Sequence, residues 1–278
     1  MFLMYIKYLN TWLLRGKNAM NDRFVMKSTN NVQGTNVSVD SWDRSNIICV
    51  IDRKLSDDFL EIYKDCIRVI EVLDNACDID PDTQKGHGNA VCDALLSLGR
   101  NCKIIFFPVY HSTTVSGINT ILRFILDNKL ANVFNMSCGF SRTSSKSSHL
   151  EKTCNEMKKN GIHIVAARDE LYGTVYPASF STVIGVCVKD IPVLLDIENN
   201  MITIKKRLGL CVYWSLGKRV WMDQSSILSP VVAFCLFEAL KTLPEERCLE
   251  VLSLQNLLYE RLFNTLKNTL NIRRNNRV

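Results

Sequence analysis

Short apolar runs alternate with amphipathic stretches along most of this chain, and the period changes from run to run. Asn46–Ile51 (NIICVI) is apolar and β-branched without a break and ends at Asp52, the signature of a buried strand with a carboxylate at its C-terminal end. Lys103–Tyr110, Asn132–Ser137, His163–Ala167 and Val183–Val188 read as further strands. Between them, Gly117–Asn128 puts Ile118, Ile121, Leu122 and Ile125 on one helical face. A second helix, roughly Asn89–Leu98, opens on Gly86-His87-Gly88. Ser148 and Glu151 fit a capping box for a third, which Gly161 would stop after the polar loop Ser141–Ser148. Asp58–Val72 is ambiguous: Phe59, Ile62, Tyr63 and Cys66 fit a helix, while Ile67–Leu73 fits a strand. Asp190–Trp221 holds the short runs Met201–Ile204 and Leu210–Trp214 and reads as hairpins or loops.

The strongest stretch is Met222–Leu236, MDQSSILSPVVAFCL. Val231–Phe237 has no polar break, and a helix apolar on every face belongs inside a domain. Pro230 is tolerated in or just before a first helical turn, which would place Ser226 at the N-terminal end of this central helix. Leu249–Leu270 carries leucines at helical spacing and would pack outside. Strands alternating with helices predict an α/β fold, a doubly wound, mainly parallel sheet with helices on both faces. The pattern divides the chain into a weakly patterned lead-in (1–45), one α/β domain (46–245), and a C-terminal helix and basic tail packed on that domain (246–278).

Composition narrows the function classes. Hydrophobic residues make up 47% and charged residues 22%, enough for a sizeable core. The net charge of +6 is mild, three of the arginines sit in the terminal IRRNNRV, and no basic-aromatic stripe argues for nucleic acid. No apolar run reaches membrane-spanning length. The N-terminal MFLMYIKYLNTWLL is interrupted by Lys7 and Asn10 and is followed by no clear cleavage site, which argues against a signal peptide. The eleven cysteines form no CxxC pair, and Cys49, Cys138, Cys187 and Cys235 lie in apolar runs. That usage points to buried free thiols in a reducing, cytoplasmic compartment, with secretion as the alternative.

In parallel sheets, ligands bind at the carboxyl ends of the strands. Asp52 and Ser137 are placed at such ends, and His87 and Ser226 sit at helix starts that could face the same rim. A helix start offers unpaired N–H groups and a positive dipole end, suited to an oxyanion at Ser226 and expected to keep His87 neutral. Taken one at a time, these residues have ordinary readings: a strand-end turn, a capped histidine, an N-cap. His111, His149 and His163 have no partner pattern, and Cys138 and Cys235 read as core thiols. Asp78, Asp80 and Asp82 alternate as in a calcium loop, but Thr83 and Asn89 stand where that loop needs Gly and Glu, so no metal site is assigned.

The order Asp52, His87, Ser226 and the segments around it change the balance. ICVID at 48–52, GHGNAV at 86–91, NMSCG at 135–139, GIHIVAARDE at 161–170 with YPAS at 176–179 and VIGVCV at 183–188, and SSILSP at 225–230 follow one another in sequence. Together they resemble the subtilisin-like serine peptidases (peptidase S8), whose aspartate strand, GHGTHV, NMSLG, oxyanion region and GTSMASP motifs occur in that order. The resemblance spans about residues 46–240 and implies a serine endopeptidase that needs no cofactor. It implies Ser226 as nucleophile, His87 as general base and Asp52 as the residue that orients the imidazole. It further implies Ser137, Cys138 and Gly139 as an edge on which an extended peptide or protein substrate pairs, with Gly139 leaving room for a side chain. A second flank would fall near Ser112–Thr114.

Three positions depart from the family pattern. Asp169 stands in AARD where the family has the oxyanion asparagine of AAGN, so Asp169 and the Ser226 N–H would form the oxyanion site only with Asp169 neutral. Losing one such donor costs about 3 kcal/mol in the transition state. Gln224 replaces the glycine two before the nucleophile, and Arg53-Lys54 replaces a small hydroxyl residue and a glycine after Asp52. These departures motivate a second expectation, a catalytically impaired domain that binds an extended peptide or a partner protein. A third is processing of one peptide precursor, because a 45-residue lead-in is short for a folded pro-domain.

Overall fold

The structure is a computed structural model, described at residues 25–28, 42–73, 86–99, 102–110, 113–140, 145–168, 174–193, 195–198, 200–206 and 208–242. Its elements run β1 (Val25–Ser28), β2 (Ile47–Arg53), α1 (Asp57–Ile62), β3 (Ile67–Leu73), α2 (His87–Leu96), β4 (Lys103–Val109), α3 (Val115–Asn128), β5 (Val133–Met136) and α4 (Ser145–Lys159). Then come β6 (His163–Arg168), β7 (Ile184–Lys189), β8 (Leu195–Glu198), β9 (Met201–Lys205), β10 (Leu210–Ser215), β11 (Lys218–Met222) and α5 (Ser225–Thr242). Among the described residues the main sheet has nine strands in the order β1-β3-β4-β2-β5-β6-β7-β9-β8. Pairing is parallel from β3 through β9, with β1 and β8 added antiparallel at the two edges.

β2 shows why these runs become strands. Ile48 and Val50 enter the core layer beneath α2 and α5, and Ile47, Cys49 and Ile51 enter the layer beneath α3 and α4. A strand buried on both faces needs an unbroken apolar run, and β2 has one up to Asp52. The doubly wound, mainly parallel sheet expected from the alternation is present.

The helix boundaries carry most of the differences. α3 begins two residues before Gly117, because Thr114 caps it by accepting from the Gly117 N–H at 3.2 Å. α4 begins at Ser145, so the Ser148/Glu151 pair lies inside the helix and is not its cap. Ser-x-x-Glu is also an i,i+3 pair on a helix face, and both residues are exposed there. Gly161 does end that helix, at φ +71°, with Ile162 N donating to Met157 O at 2.9 Å. The ambiguous 58–72 stretch contains both expected elements, α1 followed by β3, with a turn at 63–66 between them. Asp190–Trp221 yields β8–β9, which joins the main sheet through β7, and the separate hairpin β10–β11.

The lead-in contributes β1 to the sheet edge. The proposed outer helix Leu249–Leu270, the basic tail and most of the rejected calcium loop lie outside the described residues. No described helix is long and apolar enough to cross a membrane.

Candidate active site

Asp52 sits at the carboxyl end of β2, 1% exposed, where the flanking strands β4 and β5 run parallel to it. Its Oδ1 accepts from the Arg53 N–H at 2.7 Å. His87 is the first residue of α2, and the two glycines beside it explain its setting. Gly86 has φ +120°, and a Cβ there would lie 2.6 Å from Trp214 O. A Cβ on Gly88 would lie 2.1 Å from Arg53 O. The first turn of α2 can therefore press against the end of β2 only without a side chain at 88, and lie against Trp214 of β10 only without one at 86.

That approach puts His87 Nδ1 2.6 Å from Asp52 Oδ1, across 35 positions of sequence. On the other side of the ring, His87 Nε2 lies 3.0 Å from Ser226 Oγ, 139 positions further on. Ser226 is the second residue of α5. The first helical bonds there run from Ile227 and Leu228 to Gln224 O, so the Ser226 N–H has no acceptor within its own helix. Ser225 Oγ accepts from Val188 N at 3.1 Å and ties the helix start to the carboxyl end of β7. Pro230 is the sixth residue of α5, deeper than the first turn expected for it, and its missing N–H falls on the carbonyl of Ser226.

Burial pushes His87 toward its neutral form, but the Asp52 charge and hydrogen bond outweigh burial and the nearby Arg53, so its pKa lies above 6.5. The helix start was expected to favour the neutral ring; the Asp52 contact works in the opposite direction and raises the pKa. Asp52 Oδ2 is buried and accepts no hydrogen bond from the described residues. Arg53 follows in the chain, where a small hydroxyl residue was noted as missing. Burial, reinforced by Asp52, pushes the Cys138 thiol up to about 12 and the Cys92 thiol well above 9. Burial thus disfavours the thiolate at Cys138 and Cys92, and Cys235 is fully buried in the core.

Ser137–Gly139 continue β5 past Met136, its last residue paired with β2 and β6. Ser137 points inward: its Oγ accepts from Asn135 Nδ2 at 2.9 Å and lies 3.3 Å from Ser229 Oγ. Gly139 has no space for a side chain of its own. A Cβ there would meet Val175 Cγ1 at 2.4 Å, because Phe140 and Tyr176 pair backbone to backbone and bring Val175 over the glycine. On the second flank, Thr113 Oγ1 accepts from Tyr110 N and Thr114 caps α3, while Ser112 lies outside the described residues. Asp169, the expected oxyanion residue, also lies outside them. Among the described residues no cluster of His, Cys, Asp and Glu could hold a metal ion.

Sequence reasoning missed the polar residues that hold the site. Asn89, fully buried, donates to Ser56 Oγ and to Trp214 O at 2.7 Å each and accepts from Ser56 N at 3.0 Å. Asp93, one turn on, accepts from Tyr63 Oη, from the Tyr213 N–H and from Arg219. Through these bonds α2 is pinned to α1 and to the β10–β11 hairpin. The signal was available: two polar side chains four residues apart among Ala90, Val91, Ala94 and Leu95 mark buried hydrogen bonds on one helix face.

No protein-family model matches the sequence, and no curated protein matches it. Solved structures do match. The patellamide maturation protease PatG superposes with a TM-score of 0.56 at 14% identity, over 78% of this chain and 92% of that one. The epidermin leader peptide processing serine protease EpiP of Staphylococcus aureus gives 0.55 at 14%, over 74% and 68%. A cold adapted subtilisin-like serine proteinase gives 0.52 at 17%, over 74% and 80%. At these identities the likeness speaks to backbone arrangement, and together with the sheet order it means that the chain has a subtilisin-like α/β fold.

Proposed function

We propose that this chain is a serine endopeptidase working through Asp52, His87 and Ser226. The observation that carries the reading is the unbroken contact chain Asp52 Oδ1–His87 Nδ1 and His87 Nε2–Ser226 Oγ, at 2.6 and 3.0 Å. Ser226 Oγ attacks the peptide carbonyl while His87 Nε2 takes its proton. Asp52 holds the tautomer with hydrogen on Nδ1 and stabilises the imidazolium. His87 then returns the proton to the leaving amine, and water hydrolyses the acyl-enzyme by the reverse route. The Ser226 N–H supplies one oxyanion donor, and a protonated Asp169 supplies the second. An extended substrate pairs along Ser137, Cys138 and Gly139. Two fold neighbours are a patellamide maturation protease and an epidermin leader peptide processing serine protease, and the PatG macrocyclase is known in complex with peptide; these support a processing role on a peptide precursor. The free thiols among the described cysteines support a reducing compartment.

The test is labelling of the purified protein with a fluorophosphonate serine probe. Wild type labels, and Ser226→Ala and His87→Ala do not. Asp169→Asn labels faster, because an amide donates where a carboxylate must first be protonated. A well-folded wild type that takes no label overturns the reading. Asp169, Gln224 and Arg53, which depart from the family pattern, favour a second reading in that event, a silent domain that binds an extended peptide. It would show as peptide binding unaffected by Ser226→Ala.

A further inference from the structure

We propose that Asn135, Ser137 and Ser229 form a positioning network that holds the Ser226 turn and couples it to the substrate edge, an inference that rests on the peptidase reading above. The argument starts from a missing donor. In a regular helix the carbonyl of Ser226 accepts from the N–H of residue 230, and residue 230 is proline. The neighbouring Ile227 and Leu228 are buried, so the environment does little to replace that bond with water. Ser229 Oγ lies 3.5 Å from Ser226 O and is the hydroxyl in reach of it. From Ser229 the contacts continue to Ser137 Oγ at 3.3 Å and to Asn135 Nδ2 at 2.9 Å.

The direction of these bonds is determined by their end. A carbonyl only accepts, so the Ser229 hydroxyl donates to Ser226 O. Its oxygen then accepts from the Ser137 hydroxyl, and Ser137 accepts from the Asn135 amide. Each donor polarises the next along such a chain. Asn135 and Ser229 are fully buried and Ser137 is 8% exposed, between a central strand and a helix otherwise packed with aliphatic and aromatic side chains. Apolar residues would fill that space without the cost of burying three polar groups.

Position tells what the network does. Asn135 lies mid-sheet, level with Val50 of β2 and Val165 of β6. Ser137 opens the edge that a substrate strand would extend, and Ser229 sits one turn beyond Ser226. A shift of residues 137–139 on substrate pairing is therefore passed through two hydroxyls to the peptide that carries Ser226. The network governs how Ser226 Oγ is aimed at His87 and leaves the probe's binding alone.

The experiment measures inactivation of the full chain by the fluorophosphonate probe, separating the maximal rate from the half-saturating concentration. Ser229→Ala is expected to lower the maximal rate about tenfold, with half-saturation and the pH midpoint unchanged, and Ser229→Thr, which keeps the hydroxyl, to recover most of it. Ser137→Ala lowers the rate less, and the double variant is no slower than Ser229→Ala. A wild-type rate in Ser229→Ala, or effects that multiply in the double variant, would overturn the network. Should Ser229→Ala fail to fold, Ser137→Ala and its rescue by Ser137→Thr decide the matter alone, and a wild-type rate in it overturns the proposal. Wild type that takes no label removes the peptidase reading and this inference with it, whereas wild type that labels beside unaffected variants removes only the network.

Discussion

His87 is held by opposing effects of similar reach. Burial and Arg53 favour the neutral ring, and Asp52, 2.6 Å away, favours the charged one and prevails. A general base works when neutral, so the rate of probe labelling should rise as pH increases through the His87 pKa, with a midpoint above 6.5. Asp52→Asn removes both raising effects and leaves burial and Arg53 in place, so its midpoint should fall, together with a large loss of maximal rate. Arg53→Ser removes a nearby cation and should move the midpoint up. A labelling profile with no inflection, or one shifted the other way in Asp52→Asn, would show that His87 is not the base. The three residues were legible in the sequence through the order of the motifs around them and the family resemblance those motifs carry, since each residue alone has an ordinary reading. Asp52 ends an apolar strand, His87 lies between glycines that admit close backbone contact, and Ser226 opens an apolar helix. The direction of the His87 shift was not legible, because it depends on a contact made across 35 positions of sequence.

At the scale of elements, α2 carries the argument. It is clamped on one side by Asn89 to Ser56 and Trp214, and on the other by Asp93 to Tyr63, Tyr213 and Arg219. Asp58 adds a contact to the Tyr213 hydroxyl and accepts from Leu216 N at 2.9 Å, closing the ring through α1. The hairpin β10–β11 thus braces the helix that presents His87, and Trp214 covers Gly86 directly. Asp93→Ala would leave the buried Tyr213 N–H without its acceptor, at a cost of about 3 kcal/mol once the half-exposed Arg219 is discounted. That corresponds to a fall in melting temperature of about 6–12 °C for a chain of this size. Probe labelling should fall with it, and a melting temperature within about 2 °C of wild type would contradict the bracing role of the hairpin. Helix and strand existence followed from periodicity, whereas the start of α4 and the depth of Pro230 in α5 did not. Serines tolerate both cap and helix interior, and a proline can be carried inside a helix when a side-chain hydroxyl reaches the orphaned carbonyl.

Across the whole molecule, two core layers separated by one sheet account for the cysteine pattern. Cys49 and Cys154 lie in the layer under α3 and α4, Cys92, Cys102 and Cys235 in the layer under α2 and α5, and only Cys211 is exposed among the described cysteines. In the native protein a thiol reagent should therefore modify Cys211 quickly, and Cys211→Ser should remove one fast-reacting group, with the buried thiols appearing only on unfolding. Buried thiols that react as fast as Cys211 would contradict this packing. By itself, the sequence determined the α/β class and the mainly parallel sheet, since apolar period and turn glycines are local properties, and it singled out Asp52, His87 and Ser226 through the order of motifs that resemble one family. Only the tertiary structure decided that Asp52 outweighs burial and Arg53 at His87, that Val175 takes the space beside Gly139, and that Ser137, Ser229 and Asn135 meet beneath Ser226. These are contacts between segments far apart in the chain, and their sign and strength depend on distance and burial, which no local pattern encodes.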